Sequence, residues 1–188
     1  MRKLKITLII VLSVFLAIVA FAGIFVLTLN AKSKRIGNID IEVLNNQENT
    51  IEKGREYTAL SYNIGFGAYD RDYSFFMDTG VMNDGTKTKG KYGKARSKEN
   101  VLKNTNGSID ILKAQQADFM MLEEVDTKST RSYKVNQYDM IRNEFENFSV
   151  SSVSNFHSGY LPYPLNDMHG VVNSGLLTMS RFKMEESK

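Results

Sequence analysis

The chain has 188 residues, the length of a single domain, with 24 basic and 21 acidic residues and a formal net charge of +3. It contains no cysteine, so disulfide bridges and thiolate zinc sites are excluded. Six of the basic residues lie in the first 35 positions, where no acidic residue occurs, so residues 36–188 carry 18 basic and 21 acidic residues, a net charge of −3. This balance argues against a nucleic-acid-binding module.

An uncharged run of 24 residues, Ile6–Leu29, opens the chain. It exceeds the roughly 20 residues that a helix needs to cross about 30 Å of hydrocarbon, and it predicts a transmembrane helix over 6–29. The alternatives are a buried core helix, or a signal peptide cut near Ala20-Phe21-Ala22. The apolar run continues beyond that cut to Leu29, which favours an uncleaved anchor. Basic residues flank the run on both sides: Arg2, Lys3, Lys5, Lys32, Lys34 and Arg35.

The short basic N-terminal arm predicts the orientation of this anchor. Residues 1–5 are expected in the cytoplasm, and everything after the helix outside the cell membrane, as a single-pass protein. The partner predicted for residues 6–29 is therefore the membrane itself. Residues 30–56 are polar and are expected to form a linker, in which Ile39, Ile41 and Val43 alternate as in one short strand.

The elements of residues 57–98 alternate between strand and loop. "YTALSYNIGFG" is a run of β-favouring residues that Gly65 and Gly67 end, which predicts a strand. Residues 80–96 are predicted to form a glycine-rich basic loop. Its cations could meet the phosphate of a substrate, or could simply be solvated: Lys87, Lys89, Lys91, Lys94, Arg96 and the adjacent Lys98.

The rest of the chain predicts one clear helix and several strands. Ser97 is suited to cap a helix that runs to about Gln115, and a strand is expected over 118–125. Residues 134–147 suggest a helix or loop, "FSVSSVSNF" alternates as a strand, and "LPYPL" is expected to be extended. "VNSGLLTMSRF" suggests a final strand. Strand, helix and further strands in this order indicate an α/β layered domain.

Three short motifs stand at predicted strand ends: Tyr62-Asn63-Ile64, Leu122-Glu123-Glu124-Val125-Asp126, and the segment from Asn173 to Arg181. Each is weak alone, since Asn before a turn and acids after a strand are common. In this order they resemble the endonuclease/exonuclease/phosphatase superfamily, with its deoxyribonuclease-I-like fold, over residues 57–182, and especially its membrane-anchored bacterial members. Glu123 stands where that family usually has Gln.

The resemblance implies that Glu124 ligates a Mg²⁺ (or Mn²⁺) ion, that Asn63 lies beside it as a second metal-site and catalytic residue, and that Asn173 contacts substrate. Lys87, Lys89 and Lys91 are further substrate-binding candidates. Mg²⁺ prefers oxygen ligands and often uses only one or two carboxylates. Strand alternation predicts that Glu124 shares a face with Met120 and Leu122, that Glu123 points to solvent, and that Asp126 could assist Glu124.

The sequence also departs from the family. Its members carry a later Asp-x-Asn and an Asp-His pair, and neither follows Arg181. We therefore expect the N-terminal part (57–188) of a four-layered α/β/β/α sandwich, C-terminally truncated. His157 and His169 are expected to be ordinary loop histidines. Two interpretations stay open: a membrane-anchored, metal-dependent phosphoester hydrolase, or an inactive remnant or tethered interaction module. The substrate could be a phosphorylated small molecule, a lipid or a nucleic acid.

On the truncation interpretation we expect residues 36–188 to bind Mg²⁺ weakly, because Glu124 and Asn63 leave most coordination positions to water. We also expect no turnover of a generic phosphodiester above background, because the attacking water would lack a base. The open face of half a sandwich is expected to favour partner binding or aggregation.

Overall fold

A computed structural model describes residues 2–32 and 39–185. The chain divides into two compact units, residues 1–35 and residues 36–188. The first contains helix α1 (Arg2–Lys32), which includes the whole predicted 6–29 span. This helix is long and apolar enough to cross a membrane, with a mean hydropathy of 3.1, and a signal sequence has the same properties.

The second unit is mixed α/β, as the sequence predicts. In chain order it contains β1 (Val43–Leu44), β2 (Ala59–Asn63), a one-turn 3₁₀ helix (Gly65–Gly67), β3 (Thr79–Val81), β4 (Lys87–Lys89), α2 (Lys98–Gln115), β5 (Phe119–Asp126), α3 (Gln137–Glu144), β6 (Ser149–Leu161) and β7 (Gly170–Ser180).

Five of these strands form one sheet in the order β1-β6-β7-β5-β2. Only β2 and β5 are parallel, and helix α2 connects them; the other neighbours are antiparallel. The parallel pair therefore ends at the same edge of the sheet, where Asn63 is aligned with Glu123. Residues 43–49 of the predicted linker belong to the folded unit, since β1 pairs with β6. Gln47 N donates to Ser149 Oγ of β6 (2.9 Å), and Lys183 N, beyond the end of β7, donates to Asn49 O (2.7 Å).

Helices α2 and α3 pack on one face of this sheet. The N-terminus of α2 is where the sequence predicts it, because Ser97 Oγ accepts a hydrogen bond from Asn100 N (3.1 Å). The buried side chains of this core come from both helices and from three strands: Ile109, Leu112, Ile141, Met120, Leu122, Val150, Leu177 and Met179. The opposite sheet face is more open, since Met121 and Leu176 are both exposed there.

The predicted loop 80–96 is instead partly a β-hairpin, formed by β3 and β4. Met82 N donates to Thr86 O (2.8 Å), and Gly85 between them has a φ of +85°. Asp84-Gly85 is the type of dipeptide that favours a tight hairpin turn, so the expectation of an irregular loop was wrong for a local reason. "LPYPL" is extended only as far as Tyr163, and the chain turns from Pro164 to Asp167.

Candidate functional site

Asn63 and Glu124 meet at the edge where β2 and β5 end. Asn63 Nδ2 donates to Glu124 Oε1 over 3.0 Å, and Asn63 Oδ1 accepts from Gly65 N over 2.8 Å. The two residues are 61 positions apart, yet the parallel pairing of their strands brings them together. The structure therefore juxtaposes the two residues that the sequence selects as metal-site candidates.

A β-bulge decides which way Glu124 faces. The register shifts between Leu122 and Val125, so two residues oppose one on β7, and Glu124 has a φ of +56°. Leu122 and Val125 still face the helices, while Glu123 and Glu124 both line a cavity with Leu176 on the opposite face. The expectation that Glu124 shares a face with Leu122 was wrong, because the extra residue interrupts the alternation. Glu123 is exposed, as predicted.

Arg131 is the cation nearest to Glu124. Its Nη2 atom lies 3.7 Å from Glu124 Oε2, and the same side chain holds both carboxylate oxygens of Asp126, at 3.0 and 2.9 Å. Ser174 Oγ accepts another bond from Nη2 (3.2 Å), and the guanidinium lies 3.9 Å from the centre of the Phe66 ring. Asp126 is fully buried and both of its oxygens are occupied, so the expectation that it assists Glu124 was wrong.

The turn after β2 supports this arrangement. The residues from Gly65 to Gly67 all have positive φ, which lets the chain reverse immediately after Asn63 and bury Phe66 below Arg131. Gly67 is tightly enclosed, since a Cβ there would lie 2.7 Å from Gln137 Nε2 and 3.1 Å from Val101 O. The motif that stops the predicted strand therefore also builds the floor of the site.

Tyr69 and Asp78 complete the surroundings of Glu124, and the sequence analysis did not select them. Tyr69 Oη donates to Asp78 Oδ2 (3.3 Å), which also accepts from Phe75 N (3.0 Å). Burial, followed by the charge of Asp78, raises the pKa of Tyr69 to about 12, so the phenol stays protonated. No local motif marks either residue, because only the path of the loop 68–78 brings them to the site.

Two cavities flank Glu124. The larger, about 580 Å³, lies between β2 and α2, and Lys103 and Asn104 are among its lining residues. The smaller, about 380 Å³, lies on the open sheet face and is lined by Phe75, Phe156 and Leu176 among others. Asn63, Tyr69 and Glu124 line both cavities, and the Glu124 side chain is 39% exposed between them. A ligand could therefore reach the carboxylate from either side.

The predicted substrate lysines do not line these cavities. Lys87 and Lys89 lie on β4 with exposed side chains, and Lys91 lines a different cavity beside Arg96. The cation that lines the larger cavity is Lys103. It lies on the exposed side of α2. Lysines are common at such positions, so nothing in the sequence distinguishes Lys103 from other lysines on a helix surface.

Asn173 is not brought to Glu124. Its Oδ1 lies 2.5 Å from His157 Nδ1, and its backbone bonds to the Ser129 hydroxyl. Strand alternation puts the next residue, Ser174, on the side of Arg131 instead. Asn173 therefore stays only a prediction as a substrate contact.

The expectation that both histidines lie in loops was wrong for His157 and right for His169, which precedes the first residue of β7. His157 lies within β6, where the alternating sequence extends further than predicted. His169 is buried, and its Nδ1 atom bonds to Gly93 O. Burial lowers the pKa of His169, which keeps the imidazole neutral. Neither histidine lines the two cavities beside Glu124.

The donor set at Glu124 fits a hydrated divalent cation. Over residues 2–32 and 39–185 no three His, Asp or Glu side chains are grouped closely enough to enclose a metal ion. Mg²⁺, however, commonly keeps several waters and uses one or two carboxylates. Arg131 is already matched by Asp126, so the charges of Glu124, Glu123 and Asp78 leave this edge negative. Glu124, with the Asn63 amide beside it, could hold such an ion from one side.

No protein-family model matches the chain, and comparisons with curated proteins and with solved structures give no match. The resemblance to the deoxyribonuclease-I-like family therefore stays a prediction from the order of three short motifs. What the chain does has to be argued from its own residues.

Proposed function

We propose that residues 57–188 carry part of a Mg²⁺-dependent phosphoester hydrolase site of the endonuclease/exonuclease/phosphatase type, in which Glu124 would hold the ion and Asn63, whose Nδ2–H donates to Glu124 Oε1, would position that carboxylate. The observation that carries this proposal is the hydrogen bond between Asn63 and Glu124 at the shared edge of two parallel strands. The sequence selects Asn63 and Glu124 from the order of its motifs, and the parallel pairing of β2 and β5 brings these two side chains into contact.

The backbone of Glu124 adds support. A non-glycine residue with positive φ in a strand is strained, and such strain concentrates at functional sites. Without the bulge, strand alternation would turn Glu124 towards the core. The strain is therefore associated with presenting a carboxylate to the two cavities.

The residues around Glu124 suit a phosphoryl group held by a cation. The ion would polarise a phosphoryl oxygen and offset the charge that develops on it. Lys103 places a positive charge along the larger cavity, and the Tyr69 hydroxyl, whose proton is donated to Asp78, lies between the two cavities. Arg131 is held by Asp126 and Ser174, so its role is to orient Glu124 rather than to bind substrate.

An interaction module is the second candidate, and the open sheet face favours it. Met121 and Leu176 are each 38% exposed on neighbouring strands, on the face opposite the helices. Apolar side chains on adjacent strands are a typical surface for binding another protein element. The four-layered sandwich is the architecture that would cover such a face.

Two measurements on the full chain in detergent micelles distinguish the candidates. Calorimetric titration with Mg²⁺ tests the ion site, and hydrolysis of bis(p-nitrophenyl) phosphate with and without Mg²⁺ tests turnover. Metal-dependent hydrolysis that Glu124→Gln abolishes would support the hydrolase. Absence of hydrolysis would favour the interaction module, and absence of Mg²⁺ binding would contradict the proposed ion site.

The adjacent glutamate provides the matched control. Glu123→Gln removes the same charge one residue away from an exposed side chain that makes no bond to Asn63 in the described contacts. We expect this variant to keep most of the Mg²⁺ affinity, whereas Glu124→Gln loses it. Equal losses would mean that the general negative charge of the edge, and not Glu124 itself, attracts the ion.

A further inference from the structure

The turn between β6 and β7 presents an uncharged apolar surface. Residues 149–166 contain no Asp, Glu, Lys or Arg. At the end of this run Leu165 is 77% exposed, Tyr163 48% and Tyr160 46%. Single exposed apolar residues are normal, but three of them within six residues of chain, with no charge between them, are typical of an interaction site. We refer to residues 159–168 as the hairpin tip.

The hairpin tip is held firmly by the neighbouring loop. Asp167 Oδ2 accepts from Gly93 N (2.9 Å), and Asp167 Oδ1 lies 3.4 Å from Lys94 Nζ. Gly93 is needed for this contact, because a Cβ there would lie 1.9 Å from Asp167 O. The buried His169 bonds to Gly93 O from the other end of the turn. The only charged side chain of the tip thus points inward to partners, and the apolar ones are presented outward.

The composition of the tip suits a lipid surface better than a protein groove. Tyrosines with one apolar and one polar end are enriched at membrane interfaces, and Leu165 is available to enter the acyl boundary. Lys91 lines one cavity with Asn166 of the tip, so positive charge lies beside the apolar residues. Apolar insertion next to cations is the combination that binds anionic bilayers.

The N-terminal helix supplies an independent argument for the occupant. Helix α1 is long and apolar enough to cross a membrane. As an uncleaved anchor, which the length of the apolar run favours, it would keep this chain at a bilayer. A second, weaker contact made by the folded unit would then act at high local concentration.

We propose that the hairpin tip docks on an anionic lipid bilayer, with Leu165, Tyr163 and Tyr160 in the interfacial region and Lys91 near the headgroups. This role is independent of the metal site, since none of these residues lines the cavities beside Glu124.

The lack of cysteine allows a direct test with single labels. The full chain, reconstituted in vesicles of phosphatidylcholine and phosphatidylglycerol, carries an environment-sensitive fluorophore at Asn166→Cys. The matched control carries it at Asn106→Cys, an exposed asparagine of α2. A nitroxide on the lipid should quench the label at position 166 severalfold more strongly than the label at position 106. Equal quenching would overturn the proposal.

A second variant tests whether Leu165 itself enters the bilayer, and a second quencher tests whether a protein covers the tip instead. Leu165→Asn in the Asn166→Cys background should reduce lipid quenching without unfolding the chain, because Leu165 is mostly exposed. Unchanged quenching would overturn the insertion of Leu165. A label at position 166 that is shielded from aqueous iodide but is not quenched by the lipid nitroxide would show that a protein, and not a bilayer, covers the tip, which also overturns the proposal.

Discussion

Arg131 and Asp126 form a two-point ion pair that is shielded from water, with Nε and Nη2 at 3.0 and 2.9 Å from the two carboxylate oxygens. Asp126 ends β5, and Arg131 follows in the loop after it, so the pair fixes the chain directly behind Glu124. Removing either partner alone should destabilise the fold, because it leaves the other charge buried and unpaired.

Arg131→Met should therefore lower the free energy of unfolding by about 3–5 kcal/mol, since it leaves the Asp126 carboxylate buried without its partner. Thermal unfolding followed by near-ultraviolet circular dichroism measures this. The control is Lys113→Met, which breaks the exposed Lys113–Glu144 pair and should cost less than about 1 kcal/mol. Similar losses in the two variants would contradict the structural role of Arg131.

Two substitutions of Glu124 distinguish the backbone strain at this residue from the loss of its carboxylate. Glycine accepts the φ of +56° at no steric cost, whereas alanine does not. Glu124→Gly should be more stable than Glu124→Ala by about 1 kcal/mol, although both lose the bond to Asn63. Neither variant should bind Mg²⁺. Equal stability of the two variants in denaturant unfolding would show that the bulge relaxes when the side chain is removed.

His169 should make the folded state sensitive to mild acid. Burial lowers its pKa from the ordinary value of 6.5, so below that pH the unfolded chain takes up a proton that the folded chain does not. The stability contributed by the neutral imidazole is full above pH 6.5 and is lost as the pH falls through the folded pKa. The midpoint temperature of thermal unfolding should fall as the pH is lowered from neutral to acid. This fall should be less steep in the His169→Gln variant than in the original chain. An identical slope would assign the acid sensitivity to other groups.

The contribution of Lys103 to anion binding can be compared directly with that of Lys87, Lys89 and Lys91. Lys103 lines the larger cavity beside Glu124, while Lys87, Lys89 and Lys91 do not. Because a nearby cation raises the local concentration of anions, Lys103→Gln should weaken binding of inorganic phosphate to the Mg²⁺-loaded chain at low salt. The triple replacement of Lys87, Lys89 and Lys91 by Gln should have a smaller effect. Calorimetry measures both effects. A larger loss of phosphate affinity in the triple variant than in Lys103→Gln would support Lys87, Lys89 and Lys91 as the substrate-binding residues instead.

Local sequence signals predicted the mixed α/β class and most helices and strands of the second unit, whereas features that depend on contacts between distant residues could not be predicted. Ser97 capping, the helix to Gln115 and the strands ending at Asn63 and Asp126 follow from side-chain preferences within a few residues. The bulge at Glu124 depends on register with β7, and the Arg131–Asp126 pair depends on how the loop after β5 folds back. Asp84-Gly85 shows a different case, since its turn signal was present in the sequence.

The bulge has a consequence for how the chain tolerates changes in length. Glu123 and Glu124 together face Leu176, while Leu122 and Val125 pair with Leu177 and Gly175. A chain lacking residue 123 could pair one glutamate with Leu176 in an uninterrupted ladder and keep both neighbours in the core. Loss of one residue at this point would then regularise the sheet instead of shifting every later side chain to the wrong face. In most strands a single deletion is among the most damaging changes, and here the fold has a spare position that can absorb it.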